Sequence, residues 1–182
     1  SKRRETAEIG VFALCARPLR APNIIVDTPI RGLKGLLRYW GLRFAMPARV
    51  IAITGGKGGV GKSTTTVNLG VSLRMDDHSV ALIDADVEMP NLVELLGIEP
   101  TVTIHDVLSG NAEAEQALIE IGEGFAAIPG DPSISGYASI DPTRLETVVG
   151  TLEAAYDFVL LDTGAGLSYD DIMPLGLADE IV

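Results

Sequence analysis

The residues best suited to do chemistry lie in one glycine-rich segment, residues 54–65. Gly56, Gly61, Lys62 and Ser63 fit the pattern G-x-x-x-x-G-K-[ST], in which the backbone N–H groups of a loop surround phosphate oxygens. Glycine is needed where the backbone takes a positive φ or approaches the phosphates closely. The lysine can reach the β- and γ-phosphates, and the serine hydroxyl can bind Mg²⁺. The segment therefore predicts a phosphate-binding loop.

Three carboxylates belong to the same predicted site. Asp84 and Asp162 each end an apolar run typical of a buried strand, and Asp86 follows two residues after Asp84. Ligands of open α/β sheets bind at the carboxyl ends of the strands, and Mg²⁺ prefers oxygen ligands. We expect Ser63 and Asp162 to hold Mg²⁺ and Asp86 to orient an attacking water. One strand-terminal Asp is often only a cap or a turn residue, so the combination with the loop carries this prediction.

The elements that must position these residues alternate between apolar strands and helices. This order predicts an α/β fold in three layers, with a mainly parallel sheet covered on both faces by helices. Because the sequence stops as a strand begins, we expect the domain to be truncated at its C-terminus. The predicted strands start near residues 50, 80, 125, 158 and 180, and the predicted helices near residues 62, 91, 101, 112, 141 and 170.

Two of these helices carry more detailed expectations. Asp141 is predicted to be the N-cap of its helix, with Pro142 at the first helical position. The helix after the glycine loop is expected to carry the i,i+4 pairs Val67 with Val71 and Leu69 with Leu73 and to end near residues 75–77.

Charge divides the chain into two parts. Residues 1–45 contain nine Lys or Arg and three acids, whereas residues 46–182 contain five bases and 22 acids. In the second part the only lysines are Lys57 and Lys62, both within the glycine loop. Such an acidic surface favours a halophilic protein of a very salty cytoplasm, although an ordinary acidic protein stays an alternative. Cys15 is the only cysteine, which excludes a disulfide framework within the chain.

The two parts also differ in pattern. Residues 1–45 are predicted to be an extension, disordered or not native, and residues 46–182 the folded domain. Within the extension, residues 31–44 place apolar and basic side chains on different faces of a helix, which leaves contact with a membrane surface open. No run reaches the ~18 apolar residues of a membrane span. We therefore expect a cytoplasmic protein.

Three segments then resemble one family, the MinD/ParA ATPases. Residues 57–64 are similar to its deviant Walker A motif, whose mark is an extra lysine, here Lys57, five residues before Lys62. Residues 84–92 resemble the switch I of the family. Residues 156–167 resemble its Walker B and switch II stretch, with glycine where proline is common. The resemblance covers about 130 of the 182 residues, and it is closer to the MinD branch than to the ParA branch.

The resemblance implies a P-loop NTPase fold, Mg²⁺ and ATP as cofactors, and a homodimer that forms with ATP. Lys57 would reach the phosphates of the partner subunit, and Lys57, Lys62 and Asp86 would be the catalytic residues. It also implies an activating protein partner and a role in spatial positioning, such as placement of the division site. The implied nucleotide-binding residues are Gly56, Lys57, Gly58, Gly59, Val60, Gly61, Lys62, Ser63 and Thr64.

Other functions stay open at this point. A ParA-like ATPase that moves on DNA needs a basic surface for phosphate contacts, and residues 46–182 are strongly acidic. An iron–sulfur scaffold or reductase component of the same superfamily needs cysteines, and residues 46–182 contain none. A nucleotide-binding scaffold without turnover is a further alternative.

Overall fold

The computed structural model describes residues 48–131, 140–166 and 169–182, and the predicted helix at residues 31–44 lies outside them. The described residues form an α/β fold around one six-stranded sheet. Among the described helices, none has both the length and the apolar character needed to cross a bilayer. The elements in chain order are β1 (Arg49–Ile53), α1 (Lys62–Met75), β2 (Val80–Asp84), α2 (Leu92–Leu96), α3 (Ile104–Leu108), α4 (Ala114–Ala117), β3 (Ile119–Gly122), β4 (Phe125–Ile128), α5 (Arg144–Glu153), β5 (Phe158–Asp162), α6 (Tyr169–Gly176) and β6 (Glu180–Ile181).

The strand order of the sheet is β3-β4-β2-β5-β1-β6. All neighbouring strands are parallel except β3, which is antiparallel to β4. The predicted, mainly parallel sheet is therefore confirmed. Strand β5 lies between β2 and β1, and its last residue, Asp162, is in register with Asp84 on one side and with Ile53 on the other. The carboxyl ends of these three strands thus meet at one edge.

Alternating side chains of the strands build two separate apolar layers. Leu82 and Leu160 pack with α1 and α2 on one face of the sheet, whereas Ile83 and Leu161 pack with α3, α4 and α5 on the other. Full burial of such a side chain stabilises the fold by about 1.5–3 kcal/mol. Both faces of the sheet are covered, which confirms the predicted three-layer architecture.

Helix α1 packs against the apolar core through three residues of its predicted pairs, Val67, Leu69 and Leu73. Val71 is 42% exposed, whereas Thr66 and Gly70 are the buried residues of this helix. A Cβ at Gly70 would lie 3.0 Å from the side chains of both Leu82 and Phe125. The helix therefore needs its smallest residue at this position, because the Leu82 and Phe125 side chains leave little room for a larger one.

Two local features differ from the sequence analysis. Helix α5 begins at Arg144 with Thr143 as its N-cap, so the prediction that Asp141 is the N-cap was wrong. The Asp141 carboxylate instead accepts hydrogen bonds from the Thr143 N–H and hydroxyl groups, at 3.0 and 2.6 Å, in a turn that precedes the helix. Strand β3 was not predicted, because a four-residue edge strand of alternating exposure gives little signal.

Candidate functional site

The phosphate loop, residues 54–64, runs from the end of β1 into the first turn of α1 at the carboxyl edge of the sheet. Gly59 and Gly61 have φ angles of 74° and 96°, a region that side chains with a Cβ rarely adopt. Gly61 is the N-cap of α1, and the first turn of this helix has no acidic residue. The N–H groups of a helix N-terminus carry partial positive charge. The loop therefore has the backbone that an anionic phosphate requires.

The two lysines of the loop have different surroundings. The half-buried Lys62 side chain folds over the base of the loop, where a Cβ at Gly55 would lie 3.5 Å from its Cδ atom. Its charge also lies near Asp162, whose pKa it helps to lower. Lys57 is exposed. Lys62 thus belongs to the interior of the site, and Lys57 to its surface.

Asp162 lies at the end of β5 and is 1% exposed. The Thr66 hydroxyl lies 3.2 Å from its Oδ1 atom and 3.1 Å from the Lys62 carbonyl oxygen. Burial raises the pKa of Asp162, while hydrogen bonds from the Ser63 and Thr66 hydroxyls and the Lys62 charge lower it. The structure therefore places Asp162 beside the Ser63 and Thr66 hydroxyls.

Asp84 is completely buried and has a structural role that its motif did not indicate. Its Oδ2 atom accepts hydrogen bonds from the N–H groups of Asn91 and Leu92, both at 3.0 Å. Burial raises the pKa of Asp84 to about 7, and the neighbouring charges of Asp162 and Asp86 act in the same direction. Asp84 therefore holds the start of α2 against the end of β2.

Asp86 lies in the switch I segment, residues 84–92, and is half-buried. Its Oδ1 atom accepts the Met89 N–H at 2.9 Å, so the segment forms a tight turn around the carboxylate. The preceding N–H, of Ala85, donates to the Asp162 carbonyl oxygen at 2.8 Å. Asp86 thus lies one residue beyond a backbone contact with β5, and its charge helps to raise the pKa of Asp162.

Two buried carboxylate oxygens without hydrogen-bond partners bear on whether Mg²⁺ fits this site. Asp84 Oδ1 and Asp162 Oδ2 are buried and have no hydrogen-bond partner, which is costly unless a ligand or water compensates. The described residues contain no cluster of three or more His, Cys, Asp or Glu side chains that could hold a metal alone. Mg²⁺ usually keeps several waters and needs only one or two protein ligands besides phosphate oxygens. Ser63 and Asp162 therefore fit a Mg²⁺ that arrives with a nucleotide.

The structure also shows residues near the site that the sequence analysis missed. Thr66 supports Asp162, and the Thr163 N–H and hydroxyl donate to the Ile53 carbonyl oxygen at 3.2 and 2.9 Å. Thr66 is four residues after Lys62, on the face of α1 that meets the sheet. A polar residue on a face that must be buried was the available signal.

A phosphate loop between a strand and a helix, with carboxylates at the adjacent strand ends, defines a P-loop NTPase domain. Residues 47–117 match the family model described as ParA, NUBPL iron-transfer P-loop NTPase. An uncharacterised ATP-binding protein of Methanocaldococcus jannaschii is 35% identical over 136 residues, which cover 74% of this chain and 52% of that protein. The chain spans about half the length of the curated relatives it matches.

Solved structures give the same result. Septum site-determining protein MinD of Pyrococcus horikoshii OT3, complexed with Mg-ADP, has a TM-score of 0.69 and 36% identity over 74% of this chain and 56% of that one. The MinC:MinD cell division complex of Aquifex aeolicus contains a chain with a TM-score of 0.63 and 34% identity, covering 74% of this chain and 55% of that one. This domain belongs to the ParA/MinD family of P-loop NTPases.

Proposed function

We propose that this protein is a Mg²⁺-dependent ATPase that dimerises when it binds ATP and dissociates after hydrolysis. The observation that carries this proposal is the contrast between the two lysines of the phosphate loop. Lys62 folds over the base of its own loop near Asp162, whereas Lys57 is exposed. One lysine would serve the ATP bound by its own chain, and the other would serve ATP on a second copy.

Each residue of the site would then have a separate task. Residues 58–64 would bind the phosphates through backbone N–H groups. Ser63 and Asp162 would hold Mg²⁺, which neutralises charge on the phosphate oxygens. Asp86 would orient the attacking water. Catalysis would rest on positioning and on electrostatic stabilisation of the transferred phosphoryl group.

Dimerisation would control turnover through Lys57. A cation supplied by a second subunit stabilises the charge that develops during phosphoryl transfer, as an arginine finger does. Without the partner's Lys57 this stabilisation is missing, so an isolated chain would hydrolyse ATP slowly. The ATP-bound dimer would therefore be the active state and the ADP-bound monomer the resting state.

The relatives support a positioning role. Pyrococcus MinD is named a septum site-determining protein, and Aquifex MinD forms a complex with MinC. We propose that the present protein likewise determines the place of a cellular structure and acts with a protein partner. It would be cytoplasmic, and DNA is disfavoured because residues 46–182 contain five bases against 22 acids. A peripheral contact with anionic lipid would be made by the basic and apolar residues 31–44 instead.

The assignment of the site is tested by nucleotide binding. Lys62→Ala should weaken ATP binding ~100-fold, since it removes the cation that faces the β- and γ-phosphates. Arg49→Ala is the control: it also removes one cation, but at the start of β1, where Arg49 pairs with Glu180. Isothermal titration with Mg-ATP measures both. Unchanged ATP affinity of Lys62→Ala would contradict the site.

A separate experiment tests whether the protein associates with a membrane or with DNA. Wild-type protein is sedimented with liposomes that contain anionic lipid, and with double-stranded DNA, each in the presence of Mg-ATP or Mg-ADP. ATP-dependent sedimentation with liposomes is expected. Sedimentation with DNA but not with liposomes would contradict a membrane-associated role and favour a ParA-like one.

A further inference from the structure

We propose that His105 is a positioning residue that holds the switch I segment in the conformation needed for ATP hydrolysis. This inference rests on the proposed function. His105 is the second residue of α3, is 2% exposed, and contacts no residue of the phosphate loop among the hydrogen bonds described. It lies beside the site rather than in it.

The contacts of the imidazole fix its tautomer. Its Nε2 atom lies 2.9 Å from the Val87 carbonyl oxygen, which can only accept, so Nε2 carries a proton. Its Nδ1 atom lies 3.2 Å from the Asp131 amide nitrogen, which can only donate, so Nδ1 is unprotonated. One neutral ring therefore joins switch I to the segment that follows β4.

The backbone that carries His105 is itself fixed. The N–H of Ile104 donates to the Pro129 carbonyl oxygen at 2.8 Å. The Asp106 carboxylate accepts the Thr103 N–H and hydroxyl at 2.8 and 3.0 Å, as part of a capping box. The imidazole thus extends from a helix that is bonded to the end of β4.

The contact matters because of where it meets switch I. Val87 directly follows Asp86, the proposed water-orienting residue, and Asp86 accepts the Met89 N–H within the same turn. The orientation of the Val87–Glu88 peptide, which lies between Asp86 and its hydrogen-bond donor Met89, is therefore set in part by the bond that the Val87 carbonyl accepts. Glycine at position 130 allows the segment that follows β4 to lie against Pro90 of switch I, since a Cβ there would overlap the Pro90 ring.

Two conservative variants each remove one of the two hydrogen bonds that the imidazole ring makes. In His105→Gln the amide Nε2 can replace the ring Nε2 as donor to Val87, and the contact with Asp131 is lost. In His105→Asn the Oδ1 atom can replace the ring Nδ1 as acceptor for Asp131, and the contact with Val87 is lost. Both variants remove one buried hydrogen bond and keep a neutral polar side chain, so a purely structural role predicts equal effects.

Hydrogen exchange of the nucleotide-free chain tests the holding role without any turnover. In His105→Asn the Met89 amide should exchange ~10-fold faster than in wild type, and the Asp131 amide should change less than ~2-fold. In His105→Gln the pattern should be reversed. Equal exchange changes in the two variants would overturn the inference.

Steady-state kinetics tests the consequence for hydrolysis. His105→Asn should lower kcat ~10-fold with KM for ATP within ~2-fold, whereas His105→Gln should keep kcat within ~2-fold at a similar loss of thermal stability. Equal kcat for both variants would overturn the inference and leave the proposed function intact. A wild-type chain that binds no ATP would instead contradict the proposed function, and the exchange pattern would still decide the role of His105.

Discussion

At the scale of single residues, the motifs predicted the charged and glycine positions of the site but not the groups that support them. The phosphate loop, Asp86 and Asp162 could be predicted because their spacing has a direct chemical reason. Thr66 was missed although a polar residue on the sheet-facing side of α1 was an available signal. His105 could not be predicted, since its importance depends on which loop its side chain meets in the folded chain. Tertiary contacts of this kind leave no periodic signal in the sequence.

Thr66 gives a test of this supporting layer. Thr66→Val keeps the shape of the side chain but removes the hydroxyl near Asp162 Oδ1. Because the buried carboxylate then loses one of the hydrogen bonds that favour its charged form, we expect the apparent Mg²⁺ affinity with ATP to fall ~10-fold. Titration of Mg²⁺ into the ATP-bound chain measures this change.

Thr151→Val is the matched control for that experiment. Thr151 also donates to the carbonyl four residues earlier, Thr147, at 3.0 Å, but it lies on α5. Its replacement should leave the apparent Mg²⁺ affinity within ~2-fold. Equal effects of Thr66→Val and Thr151→Val would contradict a role of the Thr66 hydroxyl at the site.

At the scale of elements, the fully apolar strands and the alternation of strands with helices predicted the sheet and its two helical layers. The order of the strands could not be predicted from periodicity, because an apolar run does not indicate which other strands pair with it. Of the apolar pairs predicted on α1, Val67, Leu69 and Leu73 pack against the core. The close contact with the sheet is made at Gly70, and Val71 is exposed.

This close contact predicts the effect of adding a side chain. Gly70→Val should lower the free energy of unfolding by about 1–3 kcal/mol, because the new methyl groups would overlap Leu82 and Phe125. Gly150→Val, in α5, has no neighbour within 4 Å of its Cβ and should change stability by less than about 0.5 kcal/mol. Urea unfolding measures the free energy of unfolding of both variants. Equal losses of stability would contradict the tight packing of Gly70 against Leu82 and Phe125.

At the scale of the whole molecule, the buried carboxylates make stability depend on pH. The pKa of Asp84 rises from its usual 3.8 to about 7 on folding. Below about pH 4 this carboxyl is protonated in both states, and its contribution to folding is fully present. As pH rises through 7 that contribution is lost, by at most about 4 kcal/mol.

Asp84→Asn should therefore gain stability over wild type as pH rises from about 4 to about 8, in Mg²⁺-free buffer. Asp141→Asn is a control of opposite sign. Asp141 is exposed, and hydrogen bonds from Thr143 lower its pKa, so its contribution is present at neutral pH and lost as pH falls. Urea unfolding from about pH 4 to about pH 8 measures the difference for Asp84→Asn, and its extension below about pH 4 measures that for Asp141→Asn. A pH-independent difference for Asp84→Asn would contradict the raised pKa.

The acidic surface leads to a prediction about salt. Residues 46–182 contain five bases against 22 acids, so mutual repulsion should weaken the fold at low ionic strength. Salt screens this repulsion, with a Debye length that falls to about 3 Å at about 1 M. The melting temperature should rise steadily with KCl, and a melting temperature that falls over this range would contradict a halophilic protein.

The most direct test of the central claim is the mass of the Asp86→Ala variant in solution. This variant should bind Mg-ATP without efficient turnover, and light scattering should give twice the 19.2 kDa mass of the chain with ATP and the single mass with ADP. The double variant with Lys57→Ala should remain monomeric with ATP, because the cation that reaches the partner's phosphates is gone. A monomeric Asp86→Ala variant at saturating Mg-ATP would contradict an ATP-driven dimer.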